Sequence, residues 1–288
     1  ACTKSGQVLA EYPDARTAQA LNAEYLAEHG AGSAGKSPEE IRAAVRRWLN
    51  PPEERIPIHP RIIHTSERKH PENWIDDVRH HAIFFFSERD IAVTALYIEK
   101  IGRRADRCTV FVHEEGINHV YKENDLIMQL LRDGDVLMFD PRGMGTAASR
   151  PVNPRPFHEM YGTEYKLNSD ALMLGTSLMQ MRVFDVARAC DFLRQYAPDK
   201  KLRLGGKGVG AVYALLAAML VDDVEALYLE NGLPSFASIV NEPTYRYDER
   251  YRAYGILREF DLPDVIRAFG PERVTVYNAP DVGNIIWW

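Results

Sequence analysis

Cysteine is scarce: three residues, Cys2, Cys108 and Cys190, lie far apart and are odd in number. They spell neither a zinc site nor a disulfide framework. Long apolar runs are absent too, and no stretch approaches the about 18 residues of a membrane span. Positive charge is not in excess. The net charge is −6, which argues against a nucleic-acid partner. There is no internal repeat and no low-complexity tract. His80-His81 stands without nearby cysteine or histidine at ligand spacing, so neither a metal nor a cofactor is expected.

What the chain does have is apolar content. At 288 residues and 45% hydrophobic, it has room for one large α/β domain or two small ones with a sizeable core. It opens on Ala1 rather than Met, without a signal-peptide pattern, so a processed chain or part of a longer polypeptide is expected. Ala1-Cys2 matches the end of a lipoprotein cleavage site only weakly.

Residues 1–57 read as an N-terminal helical extension. Asp14 to His29 has helical spacing, with Ala18, Leu21 and Tyr25 in one stripe and Leu26 beside it. Gly30 to Gly35 is a small-residue linker. Ser37-Pro38-Glu39-Glu40 is a helix start, and Pro51-Pro52 stops that helix after about Leu49. Residues 58–288 read as one α/β domain. Ala82 to Phe86 and Ile91 to Ile98 form a hairpin around Ser87 to Asp90. Cys108 to Val112, Asp135 to Phe139, Lys201 to Leu204, Val224 to Leu229 and Arg273 to Tyr277 are further strands. Helices are expected at His119 to Arg132, at Leu167 to Tyr196 with a kink or division at Gly175, at Arg246 to Phe260 and at Pro263 to Phe269. Strand–helix alternation implies right-handed crossovers and a mostly parallel sheet flanked by helices.

The most informative stretch is Lys201 to Ala211 followed by an Ala- and Leu-rich run. A strand enters a glycine-rich turn and then a helix, the layout in which G-x-S-x-G exposes a serine nucleophile. The five positions here read Gly206-Lys207-Gly208-Val209-Gly210, so the nucleophile position holds Gly208. The stretch is not a phosphate-binding P-loop, because the Gly-Lys-Ser/Thr ending is missing.

On Phe139 to Gly145, Leu204 to Ala211, Leu229 to Gly232 and Val276 to Asp281, the chain resembles the α/β-hydrolase superfamily. More narrowly, it resembles the acetyl-xylan-esterase-like group, and within it the nucleophile-lacking second half of a two-part protein. The resemblance implies a nucleophile at Gly208, which is absent, and an acid at Asp281, a relic if nothing uses it. It also implies a base after a last strand that has no counterpart, since all nine histidines lie at or before His158. It implies an oxyanion loop at His113-Glu114-Glu115-Gly116, where related enzymes often have His-Gly-Gly-Gly. Glu115 and its neighbour would oppose a developing oxyanion unless they point away. A periplasmic or secreted location is the weak implication of the same resemblance.

Other residues admit two readings each. Lys207 is either an anion contact at a helix N-terminus or, as favoured, a solvated turn lysine. Arg142 is a candidate binding residue, but with Asp140 it is better read as bracing its loop. His158 is a candidate base for water, with Asp281 as orienter, and Glu230 an alternative acid. Tyr245 and Tyr247, with Tyr251, Tyr254, Arg246, Arg250 and Arg252, suit sugar stacking and carboxylate binding; the plainer reading is a cap helix packed on the sheet. The expectation is a non-catalytic or degenerate hydrolase-like domain that supports, dimerises with, or binds an acylated carbohydrate for an esterase half. The alternative is an active ester hydrolase completed by a partner chain.

Overall fold

The computed structural model describes residues 3–30, 32, 34–68, 77–120, 122–242 and 248–277. Three helices come first: α1 (Val8–Glu11), α2 (Ala18–His29) and α3 (Pro38–Leu49). Then follow β1 (Arg61–Arg68), β2 (Val78–Glu88), β3 (Ile91–Lys100), β4 (Arg107–Val112), α4 (Ile117–Val120), α5 (Asn124–Asp133) and β5 (Asp135–Asp140). The second half runs α6 (Thr163–Met173), α7 (Leu178–Tyr196), β6 (Lys201–Lys207), α8 (Val209–Ala217), β7 (Val224–Glu230), α9 (Phe236–Asn241), α10 (Leu262–Phe269) and β8 (Val274–Tyr277).

Among the described residues the strands form one sheet in the order β1-β2-β3-β5-β4-β6-β7-β8. The run β5-β4-β6-β7-β8 is parallel, while β1, β2 and β3 join it antiparallel. The inner strands are apolar on both faces because both faces are covered. Along β4 and β5, Val110, Val112, Leu137 and Phe139 point into a core shared with α3, α7, α8 and α10. The alternate residues Phe111, Val136 and Met138 meet Leu126, Ile127, Leu130 and Leu131 of α5.

α3 starts where its capping box predicts. Ser37 Oγ accepts from the Glu40 N–H at 3.2 Å, and Glu40 Oε2 accepts from the Ser37 N–H at 2.8 Å. Its buried face, Ile41, Ala44, Val45 and Leu49, belongs to the main core. α2 differs from its expected stripe. It begins only at Ala18, where Thr17 caps it, no α2 side chain is buried, and Leu21 and Tyr25 stay half-exposed.

The long helix is divided at Gly175 (φ +75°), as expected, into α6 and α7, the second restarted by the N-cap Ser177. Two other expected helices change. The helix expected from His119 to Arg132 is also divided, into α4 and α5. The helix expected from Arg246 to Phe260 is not formed over 248–260. That segment makes only two short 3-10 turns, Glu249–Tyr251 and Ile256–Arg258, because Arg250 is drawn into the interior by Asp248. No helix among the described residues is long and apolar enough to cross a membrane.

Candidate functional site

β6 delivers the chain to Gly208 at the carboxyl edge of the parallel strands, between β4 and β7. Gly208 has φ +59° and ψ −128°, a backbone state that side chains rarely adopt, and its N–H donates to Glu230 O at 2.9 Å. The flanking glycines are dictated by contact. A Cβ on Gly206 would lie 2.3 Å from the Gly210 carbonyl, and one on Gly210 would lie 2.1 Å from Val112 O. The strand–turn–helix backbone here thus excludes side chains at positions 206 and 210.

The space that a side chain at position 208 would occupy is filled by Glu114. A Cβ built on Gly208 would sit 2.0 Å from Glu114 Oε2 and 2.3 Å from its Cδ. Burial pushes the Glu114 carboxyl above its ordinary value; Arg250 and Lys207 oppose the shift, and Glu115 and Asp248 add to it. The loop carrying Glu114 is fixed at two points. Asp140 accepts from the Ile117 N–H at 2.9 Å, from the Thr146 N–H at 2.7 Å and from Thr146 Oγ1 at 2.8 Å. Arg250 donates to the Glu114 backbone carbonyl and, through Nε, to Asp248 Oδ2 at 2.7 Å. This arginine, expected in an aromatic and basic cluster suited to carboxylate binding, is 1% exposed in its side chain.

Glu114, Glu115, Gly143, Met144, His158 and Arg250 enclose a pocket of about 80 Å³. That is room for two or three waters, since each takes about 30 Å³. Glu115 reaches Arg250 at 3.8 Å and stays half-exposed. His158 lies on the pocket wall, 3.9 Å from Glu164 Oε2. Burial, then the nearby Arg250, holds its imidazole below the ordinary value.

Lys207 is not a free anion contact. Its Nζ lies 2.5 Å from Glu123 Oε2 and 3.4 Å from Glu230 Oε1. Burial alone would lower the ammonium, but these carboxylates outweigh it and the net shift is upward. The same Glu123 stands 3.3 Å from Nε2 of the buried His113, whose Nδ1 accepts from the Glu115 N–H at 3.1 Å. Arg142 braces its loop: it donates to both Asp185 oxygens at 2.6–2.9 Å and to Glu88 at 2.5 Å. Asp281, Tyr245 and Tyr247 lie outside the described residues. Of their cluster, Tyr251 is buried, and Tyr254 and Arg252 line a separate cleft of about 880 Å³ between α2 and the segment 251–258. No group of three or more His, Cys, Asp or Glu among the described residues is placed to hold a metal.

Sequence reasoning missed the role of Glu114.

No family model matches the chain, and no curated protein matches it. Solved structures do. A candidate acetyl xylan esterase from Bacteroides fragilis NCTC 9343 superposes with a TM-score of 0.71 at 12% identity, over 96% of this chain and 77% of that one. The acetyl xylan esterase of Paenibacillus sp. R4 gives 0.54 at 16% identity, over 84% and 78%. A glucuronoyl esterase from Solibacter usitatus gives 0.53 at 11%, over 85% and 74%. At such identities the likeness is one of fold, and that fold is α/β-hydrolase-like, of the form seen in acetyl xylan esterases.

Proposed function

We propose that the chain is a catalytically degenerate α/β-hydrolase-like domain of a carbohydrate esterase system, with a supporting, oligomerising or substrate-binding role. The observation that carries this reading is Gly208 at the elbow with the Glu114 carboxyl packed into the nucleophile's volume. Serine hydrolysis needs an oxygen nucleophile, a base in hydrogen-bond reach and an acid to orient that base. Gly208 supplies no oxygen. His158, beside Glu164, has no hydroxyl at position 208 to activate, and Asp281 is read as a relic acid. The partner would be an active esterase half or a second copy, and the ligand an acylated carbohydrate bound with help from Tyr245 and Tyr247.

A second reading, an ester hydrolase whose missing groups come from a partner chain, is favoured by one observation: the strained elbow backbone is retained at Gly208. The test is hydrolysis of p-nitrophenyl acetate by the purified chain, by Gly208→Ser and by Gly208→Ser/Glu114→Ala. The expected result is no turnover above background in any of the three, because a hydroxyl at position 208 does not by itself supply the general base it needs. Turnover by the unmodified chain, with contaminants excluded, overturns the proposal. Turnover only on adding a partner chain selects the second reading.

A further inference from the structure

The cleft of about 880 Å³ between α2 and the segment 251–258 has the size of a small-molecule site, commonly about 300–1,000 Å³. Its floor is apolar: Phe236 and Ile256 are buried, and Ile239 and Leu257 pack on the main core. One wall is a platform of rings. Tyr25 and His29, one turn apart on α2, stack with centroids 4.0 Å apart and planes at 18°, and Tyr25 stays half-exposed. Along the cleft stand polar groups that have no partner among the described residues: the Asn22 amide, the Tyr25 and Tyr254 hydroxyls and the Arg258 guanidinium. His29 Nδ1 donates to the Tyr25 carbonyl at 2.9 Å. A carbonyl only accepts, so Nε2 of the neutral ring is left as an acceptor.

The charge of this cleft runs against that of the chain. The sequence carries −6, yet among the described residues no aspartate or glutamate lines the cleft, and two arginines do. Arg252 is neutralised, because it donates to both oxygens of Glu249 at 2.7 and 2.8 Å. Arg258 is not; its neighbour Glu259 is taken by Arg47 at 2.6 Å. A wholly apolar guest would leave the amide, the hydroxyls and the guanidinium unpaired. A ring with an apolar face, hydroxyls at its edge and a carboxylate answers all of them. We propose that the cleft binds an acidic oligosaccharide: a pyranose face on Tyr25, hydroxyls on Asn22, His29 and Tyr254, and a uronate carboxylate paired two-pronged with Arg258. This rests on reading the chain as a domain that binds carbohydrate, and it places the sugar site on the N-terminal extension rather than over the elbow. It also accounts for a helix that buries no side chain and is nevertheless held in place, by Gln19 Nε2 donating to Val240 O at 2.9 Å and by the Gly32 N–H donating to Leu257 O at 3.1 Å.

The test is isothermal titration calorimetry of the full chain near neutral pH with three probes: a xylo-oligosaccharide carrying one glucuronic acid, a neutral xylo-oligosaccharide of the same length, and 4-hydroxycinnamate, a flat acid without a sugar. The acidic oligosaccharide should bind at least about tenfold tighter than the neutral one, the usual worth of a hydrogen bond to a charged group. Added salt should erode that preference. Arg258→Gln should bring the acidic probe down to the affinity of the neutral one and leave the neutral one unchanged. Tyr25→Ala should weaken both by a similar factor, about fivefold at the usual worth of a ring contact. Both side chains are exposed, so both variants should keep the fold, which circular dichroism checks. No binding of the acidic probe by the unmodified chain at millimolar concentration overturns the proposal. So does binding that Arg258→Gln and Tyr25→Ala leave unchanged, since the sugar would then sit elsewhere. Binding of 4-hydroxycinnamate as tight as that of the acidic oligosaccharide, and lost in the same variants, overturns the carbohydrate assignment in favour of an aromatic acid. Ester turnover by the unmodified chain would remove the non-catalytic reading and leave this comparison standing, whereas a failure to bind would remove the cleft site and leave the reading of Gly208 in place.

Discussion

Arg182 and Glu164 form a two-pronged ion pair in which neither side chain is exposed: Nη1 donates to Oε1 at 2.5 Å and Nη2 to Oε2 at 3.0 Å. The guanidinium also donates to the Arg142 carbonyl at 2.9 Å and lies 3.3 Å from the Tyr213 hydroxyl. It thus ties α6, α7, α8 and the loop after β5 together behind the pocket. Removing one partner strands a buried charge, whereas removing both does not. Arg182→Met is expected to lower unfolding free energy by about 3–5 kcal/mol, and Arg182→Met/Glu164→Leu to recover most of that loss. Urea denaturation of the three chains checks both statements.

Gly210 tests the claim that the elbow glycines are set by contact. An added Cβ would meet Val112 O, a backbone atom of the neighbouring β4 that cannot turn aside. Gly210→Ala is expected to cost about 3 kcal/mol or more. Gly102 is the control. It has φ +78° and nothing within 4 Å, so Gly102→Ala should show only the backbone term of roughly 1–2 kcal/mol. Equal losses at the two positions would remove the contact argument.

The strands of the parallel run were readable because burial on both faces leaves mostly apolar runs such as Cys108 to Val112, bounded by polar residues. α3 was readable because its cap is local: Ser37, Pro38 and Glu40 define a start without help from the rest of the fold. What escaped was decided at a distance. The tyrosines and arginines of 245–254 have helical spacing, but the Arg250 side chain is held by Asp248 and by the Glu114 carbonyl, a partner 136 positions away in sequence. The same separation hides Glu114. Nothing between residues 113 and 116 says that the carboxyl will lie over Gly208, and only the side-by-side pairing of β4 and β6 brings the two together.

His113 carries a pH prediction whose sign follows from its burial. It is buried beneath the pocket loop, and burial lowers its pKa despite the nearby Glu123. A histidine held neutral in the folded state stabilises fully above its unfolded pKa and progressively less as pH falls toward its folded one. Stability should therefore drop with acid below about pH 6.5, the ordinary histidine value. His113→Gln should flatten that part of the profile while lowering stability near neutrality. Urea midpoints taken at half-unit pH intervals provide the readout, and an unchanged slope in His113→Gln would exclude His113 as the source.

α3 packs into the main core whereas α1 and α2 do not, so an energetic boundary at the linker before α3, instead of at residue 57, is the expected outcome of truncation. No side chain of α1 or α2 is buried; α2 is held by contacts such as Gln19 Nε2 to Val240 O at 2.9 Å. α3 inserts Ile41, Ala44, Val45 and Leu49 into the main core, and Trp48 Nε1 donates to Tyr254 O at 2.8 Å. A chain beginning at Lys36 should therefore melt within a few degrees of the full chain. One beginning at Pro51 would uncover that apolar face on α7 and α10, a loss on the order of 5 kcal/mol at the usual worth of a buried aliphatic side chain. Circular-dichroism melts of the two truncations decide the matter. If both melt alike, α3 belongs to the extension; if only the shorter chain collapses, the hydrolase-like domain begins at Ser37.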